Sequence, residues 1–231
     1  MKLSSITDIG IKRKDNQDNY WSARLSINGE EAGVICLCDG MGGLDKGALA
    51  SGEVVKAVKD FFINNSDFSK LANVLKDTNT YLYNKSIKDS ISLGTTCTVL
   101  YCFQGTYHVF HIGDSRCYKK STEDGKVHVL TSDHTVLEKY KQAGKTLPPH
   151  LVRKYKNTLT KCIGVTGNID LDYYTGGYQE GDVFLVCSDG FWHYLDYNSF
   201  YNDDFNNLKE LINRFISKGE TDNITVSILE C

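Results

Sequence analysis

The sequence predicts an α+β fold, and three observations predict it. Apolar runs rich in β-branched and aromatic residues recur along the chain, several of them stand as hairpin-like neighbours, and the helical patterns are segregated from them instead of alternating with every strand. A doubly wound sheet would need that alternation.

The first run, residues 34–38 (Val-Ile-Cys-Leu-Cys), is apolar at every position, as expected of a strand buried on both faces. Two helical stripes follow. Leu49, Val54, Val55, Val58, Phe61 and Phe62 make one, and Phe68, Leu71, Val74, Leu75, Thr78 and Leu82 make the other. Strands are then expected at residues 97–103, 107–112 and 127–130, a short helix around 135–143, and a strand at 183–187. Leu208, Leu211, Ile212, Phe215 and Ile216 form a last helical stripe before a final strand at 225–229.

With 231 residues, 41% of them hydrophobic, the chain can bury one sizeable core, and a single domain over residues 1–231 is expected. No internal repeat or low-complexity tract divides it. A net charge of −3, from 26 basic and 29 acidic residues, supplies no global reason for nucleic acid or an anionic membrane as partner. No stretch approaches the roughly 20 apolar residues that span a bilayer, and Met1-Lys2-Leu3-Ser4 leads into polar sequence, so a soluble, cytoplasmic protein is expected. The eight cysteines are scattered, most inside apolar runs and none in a CxxC pair, which reads as buried reduced thiols.

Three aspartates sit at strand ends. Residues 34–38 run into Asp39-Gly40, residues 183–187 run into Ser188-Asp189-Gly190, and Asp222-Asn223 precedes the final strand. One Asp-Gly is ordinarily a turn. A set is different, because carboxylates beside buried structure lose solvation and repel one another unless a cation compensates them. Asp18 and Asp133 extend the set. Carboxylates, a backbone carbonyl and water make a hard, all-oxygen site, which suits Mg²⁺ or Mn²⁺ and disfavours structural zinc.

The matching stretches are Asp8-Ile9-Gly10 through Arg13 to Asn16-Gln17-Asp18, Asp39-Gly40-Met41-Gly42-Gly43, Leu93-Gly94-Thr95-Thr96, Ile112-Gly113-Asp114-Ser115-Arg116, Leu130-Thr131-Ser132-Asp133-His134, Leu159-Thr160-Lys161-Cys162-Ile163-Gly164, Cys187-Ser188-Asp189-Gly190 and Thr221-Asp222-Asn223-Ile224-Thr225-Val226. In this order, and spread over nearly the whole chain, they resemble the PPM family of metal-dependent protein phosphatases, also called PP2C-like, in its compact bacterial form. The resemblance implies a central antiparallel β-sandwich flanked by helices on both sides, with a binuclear site at one edge. It implies that Asp39 bridges two Mn²⁺ or Mg²⁺ ions, that the carbonyl of Gly40 binds one and Asp189 and Asp222 the other, and that Asp18 ligates the first or holds its water. A third, weaker ion would take Asp133 and Asp189. Asp39, Asp189 and Asp222 are thus the expected catalytic acids.

Arg13 matches the position that binds substrate phosphate, a role suited to a planar guanidinium that stays charged. Phosphorylated proteins are the implied substrates, a serine/threonine kinase the implied counterpart, and a monomer the expected state. Two departures stand out. Gln17 occupies a position where some members have glutamate, which moves the expected metal binding to Asp18. Met41 stands where some members have a histidine proposed as general acid, and methionine cannot donate a proton, so metal-bound water would have to protonate the leaving group.

Gly94-Thr95-Thr96 and Gly113-Asp114-Ser115-Arg116 read as turns supporting the site, with Asp114 and Arg116 paired to each other or to neighbouring loops. His108 and His111, three apart on one strand, should face opposite sides of a sheet. Residues 144–161 hold both prolines, Lys145, His150, Arg153, Lys154, Lys156 and Lys161 but no acid, and read as a surface loop or flap that could steer phosphoproteins inward. The chain lacks a His-Cys-x₅-Arg loop, and the Gly-rich segment Asp39–Gly43 lacks the Gly-Lys-Ser/Thr of a P-loop, which argues against cysteinyl-phosphate and nucleotide-binding readings. A pseudophosphatase acting as a binding or regulatory module would be expected to have lost core acids, and Asp39, Asp189 and Asp222 are all present.

Overall fold

The computed structural model describes residues 1–41, 46–64, 67–155, 157–195 and 207–231. Two five-stranded sheets organise them, with every pairing antiparallel. One runs β1 (Lys2–Asp8), β10 (Ile224–Glu230), β9 (Val183–Cys187), β6 (Arg116–Lys120), β7 (Val127–Val129). The other runs β2 (Asp18–Ile27), β3 (Glu30–Asp39), β4 (Cys97–Phe103), β5 (Thr106–Ile112), β8 (Asp172–Gly177).

Side-chain alternation sorts each central strand between two layers. Along β3, Ala32, Val34, Cys36 and Cys38 join α1 (Gly47–Asn64) and α2 (Leu71–Asp89), whereas Ile35 and Leu37 meet Phe184, Val186 and Leu229 of the other sheet. Leu185, Cys187, Ile224 and Val226 point the other way, to α5 (Asp189–Trp192) and α6 (Leu208–Ser217). The result is four layers, α-β-β-α, as the resemblance implied. A strand sandwiched twice has no polar face, which is why residues 34–38 and 183–187 are apolar throughout.

The helices begin and end on local chemistry. The α1 stripe of Ala50, Val54, Val58 and Phe61 is buried at helical spacing. Asn207 caps α6 by accepting from the Glu210 N–H at 3.3 Å, and Thr135 caps α3 (Val136–Gln142) by accepting from the Glu138 N–H at 3.1 Å. None of the helices among the described residues is long and apolar enough to cross a membrane.

Four strands were not foreseen: β1, β2, β6 and β8. β1, β2 and β8 are sheet edges. Their burial alternates or stays partial, as in the exposed-intermediate pattern of β8, so no continuous apolar run marks them. β6 is interior but short, and carries Arg116, Lys119 and Lys120. Residues 144–161 are also more structured than a surface loop: α4 (Pro149–Tyr155) lies within them and Leu147 is buried. Lys156 lies outside the described residues.

Candidate metal centre

Sheet topology gathers the acids at one end of the sandwich. Asp18 opens β2 and Asp39 closes β3, and the register sets them opposite each other. On the other sheet Asp189 begins α5 just beyond β9, and Asp222 lies just before β10, which pairs with β9 through Val226 and Cys187. A hydroxyl ties the sheets together at this end: Thr225 Oγ1 donates to Asp18 Oδ2 at 2.6 Å.

Arg13, Asp39, Asp189 and Asp222 line a common cavity of about 200 Å³ with Gly40, Met41, Thr96 and Asp114, and Asn157 and Leu159 of the flap complete its wall. Asp18 sits behind that lining, buried, close enough that the charges of Asp189 and Asp222 bear on its carboxyl. Arg13 reaches across the cavity as a fork, Nε to Asp222 Oδ1 at 2.6 Å and Nη2 to Asp222 Oδ2 at 2.5 Å.

Backbone contacts position each acid. The Asp39 N–H donates to Thr96 Oγ1 at 2.8 Å, and the Thr96 N–H returns to the Asp39 carbonyl at 2.9 Å. The Asp222 N–H donates to the buried carboxylate of Glu220 at 2.7 Å, which holds the turn before β10. Asn223 stitches the Arg13 loop in place: its Nδ2 donates to the Ile9 carbonyl at 2.8 Å and its Oδ1 accepts from the Gln17 N–H at 2.9 Å. Two Asp-Gly pairs, ordinarily plain turns, are close backbone crossings here. A Cβ at Gly40 would stand 2.5 Å from the Gln17 carbonyl oxygen, and one at Gly190 would stand 2.2 Å from that of Asn223.

The electrostatics are those of acids crowded together in a dry setting. Burial, then the charges of Asp18 and Asp189, pushes the Asp39 carboxyl well above the usual carboxylate range. Asp114 is raised for the same reasons, first by burial and then by Asp189. Asp189 is raised by burial, partly offset by His193. Asp18 is raised to about 7, again mainly by burial, and its Oδ1 is buried with no hydrogen-bond partner.

That orphaned oxygen tests whether the residues fit a metal. A buried carboxylate oxygen without a donor is costly. That oxygen lies behind a cavity on which Asp39, Asp114, Asp189 and Asp222 converge, and such crowded carboxylates in an all-oxygen donor set are what a hard divalent cation stabilises. Asp18, Asp39, the Gly40 carbonyl, Asp189 and Asp222 therefore fit the expected group.

Asp133 does not join them. Its carboxylate is held by Arg116, Nε to Oδ1 at 2.8 Å and Nη2 to Oδ2 at 2.7 Å, and it is absent from the cavity wall. The acid that faces the cavity from this side is Asp114. Of the two pairings expected for Arg116, with Asp114 or with a neighbouring loop, the second holds: Arg116 takes Asp133 of the loop after β7 and stacks 3.5 Å over Trp192, whose Nε1 donates to the Asp114 carbonyl at 2.9 Å. Sequence reasoning passed over Asp114 by treating its motif as a supporting turn. The signal was there, because Asp114 follows the buried end of β5 much as Asp39 closes β3. Asn157 and Glu220 carried no comparable mark.

Met41 does line the cavity, while Gly42 and Gly43 lie outside the described residues. His108 and His111 face opposite sides of β5: His108 packs 4.6 Å from the Phe68 ring, whereas His111 is buried between the sheets and lowered to about 4 by lost solvation. All eight cysteines are free thiols.

The family model described as "Protein phosphatase 2C" matches residues 11–227. The chain is 29% identical to protein phosphatase PhpP of Streptococcus pneumoniae serotype 2, over 99% of this chain and 97% of the relative. Among solved structures, the S. agalactiae serine/threonine phosphatase superposes with a TM-score of 0.82 at 28% identity, covering 98% of each chain. The catalytic domain of the serine threonine protein phosphatase PstP, solved in complex with 2 manganese ions, superposes with a TM-score of 0.81 at 22% identity, covering 99% of this chain and 97% of that one.

Proposed function

Because this chain belongs to the protein phosphatase 2C family, we propose that it hydrolyses phosphoserine and phosphothreonine esters in proteins, at the cavity walled by Asp39, Asp189 and Asp222. One observation carries the assignment of the site: half-buried, mutually repelling carboxylates from both sheets meet one cavity that also holds a forked arginine.

Asp39, Asp189, Asp222 and the Gly40 carbonyl would hold two divalent cations, Mn²⁺ or Mg²⁺, with Asp18 behind them and Asp114 facing the same space. Bound there, the pair supplies a water acidified towards neutral pH and positive charge for the phosphoryl oxygens. The protein's own groups do the rest. Arg13 is held by Asp222 through Nε and Nη2, and a cation taking Asp222 would free those two parallel N–H donors for phosphoryl oxygens and so fix the phosphate against the acids. Thr96 and Glu220, through their hydrogen bonds to the Asp39 and Asp222 backbone, keep those carboxylates aimed inward. Leu159 and Asn157 close one side of the cavity and restrict its access to water. Met41 has no proton to give, so no side chain at that position protonates the leaving alkoxide.

Phosphorylated proteins follow as substrates. A serine/threonine kinase as counterpart and a monomeric, cytoplasmic enzyme belong to the same proposal. The first test is hydrolysis of p-nitrophenyl phosphate with Mn²⁺ supplied or removed by EDTA. Activity should vanish on chelation and return with Mn²⁺, and turnover indifferent to EDTA would end the metal reading.

A further inference from the structure

We propose that Cys36, Cys38 and Cys97 form a buried three-sulfur site for a soft monovalent cation, Cu(I). The site lies behind the phosphatase cavity and does not depend on the hydrolytic reading.

Cys36 and Cys38 are two apart on β3 and so project to one face of the sheet. β4 begins at Cys97, and the rung Leu37–Thr98 puts Cys97 across from Cys38. The three sulfurs lie within 4.8 Å of one another, and those of Cys36 and Cys38 are 4.0 Å apart. Metal–thiolate bonds are about 2.3 Å, so two sulfurs on one ion stand roughly 4 Å apart. The sulfurs already have the spacing of a coordinated set. Ordinary packing of small side chains requires burial but no convergence on a point.

The surroundings select the ion. All three residues are at most 1% exposed, in the apolar layer that also holds Ala50, Val54 and Val99. Among the described residues no histidine, aspartate or glutamate joins the group. Hard cations lack oxygen ligands there, and zinc lacks its usual fourth ligand. Three sulfurs in a dry pocket suit Cu(I), whose preference is for soft thiolates. Each sulfur that becomes a thiolate on binding releases one proton to solvent, and no electron is transferred. Occupancy would lock β3 to β4 directly behind Asp39, since Cys38 precedes that residue and Cys97 follows Thr96, its hydrogen-bond partner.

The test is an anaerobic titration of the reduced full-length protein with Cu(I) against a chromogenic Cu(I) chelator, run both on the native protein and on protein refolded from denaturant with Cu(I) present. One Cu(I) per chain should be retained, with a thiolate-to-copper charge-transfer absorption and a raised thermal midpoint. Cys97→Ala should weaken retention at least tenfold. Cys38→Ala serves if that variant does not fold by circular dichroism, and at least one folded variant of the trio is needed for the comparison. Replacing Cys162 and Cys231, the two partly exposed cysteines, with serine should leave retention intact. Failure of both loading routes overturns the proposal, as does retention that follows Cys162 and Cys231 instead of the trio.

Discussion

Asp18 shows how position overrides the chemistry of a residue type. Its carboxyl, raised to about 7 chiefly by burial, keeps a proton that an unfolded aspartate near 3.8 would have lost. Between those values the folded chain binds the extra proton, so raising the pH through the window removes stability from the metal-free protein. Thermal denaturation in EDTA from pH 4 to pH 8 should therefore show wild type losing stability relative to Asp18→Asn, with Mn²⁺ cancelling the difference. Parallel curves for the two proteins would mean that Asp18 ionises normally. Asp39→Asn makes a companion case. It relieves carboxylate crowding, so the apo protein should unfold no earlier than wild type. Turnover should nevertheless drop by about three orders of magnitude, because several kcal/mol of charge stabilisation in the transition state is lost. Circular dichroism and kcat measured on the same preparation separate the two effects.

At the scale of elements, strands and loops differ in how plainly they declare themselves. β3, β4, β9 and β10 are covered on both faces, and they read as apolar runs that are unbroken at residues 34–38 and 183–187 and interrupted in β4 and β10 only by Thr98, Thr225 and Ser227 before the final Glu230, whereas the edges β1, β2 and β8 have one face or one rim in solvent and look like polar sequence. The flap is the element with the most open role. It contributes Asn157 and Leu159 to the cavity wall, and its basic residues lie in the same stretch of chain. Replacing Arg153, Lys154 and Lys156 together by alanine should raise KM several-fold for acidic phosphopeptides and leave p-nitrophenyl phosphate nearly unaffected, because steering acts on extended charged substrates. Equal changes for both substrates would assign those residues to solubility. The helix caps are smaller matters: Asn207→Ala should cost about 1 kcal/mol by chemical denaturation, through loss of the bond to the Glu210 N–H.

For the whole molecule, the layer between the sheets decides whether residues 1–231 act as one folding unit. Ile35, Leu37, Leu100 and Val109 of one sheet and Phe184, Val186 and Leu229 of the other form one continuous core there. A single cooperative transition is expected, with fluorescence and circular dichroism superposing. Phe184→Ala should lower stability by about 3–5 kcal/mol without splitting that transition, whereas two separate transitions would argue for two domains. Much was legible from residue order alone. Burial on two faces leaves a continuous apolar signature, and acids placed at the ends of such runs stand out, so the sequence by itself determined the fold class, the central strands, the helical stripes and the candidacy of Asp39, Asp189 and Asp222. Only the tertiary structure decided which acids share a cavity. It set Asp133 on Arg116 and brought Asp114 inward, recruited Glu220 and Asn223 as supports, and placed three sulfurs together behind Asp39. The reason is that adjacency along a chain reports local environment, whereas the meeting of side chains from different strands depends on sheet register and layer packing, which no short stretch of sequence contains.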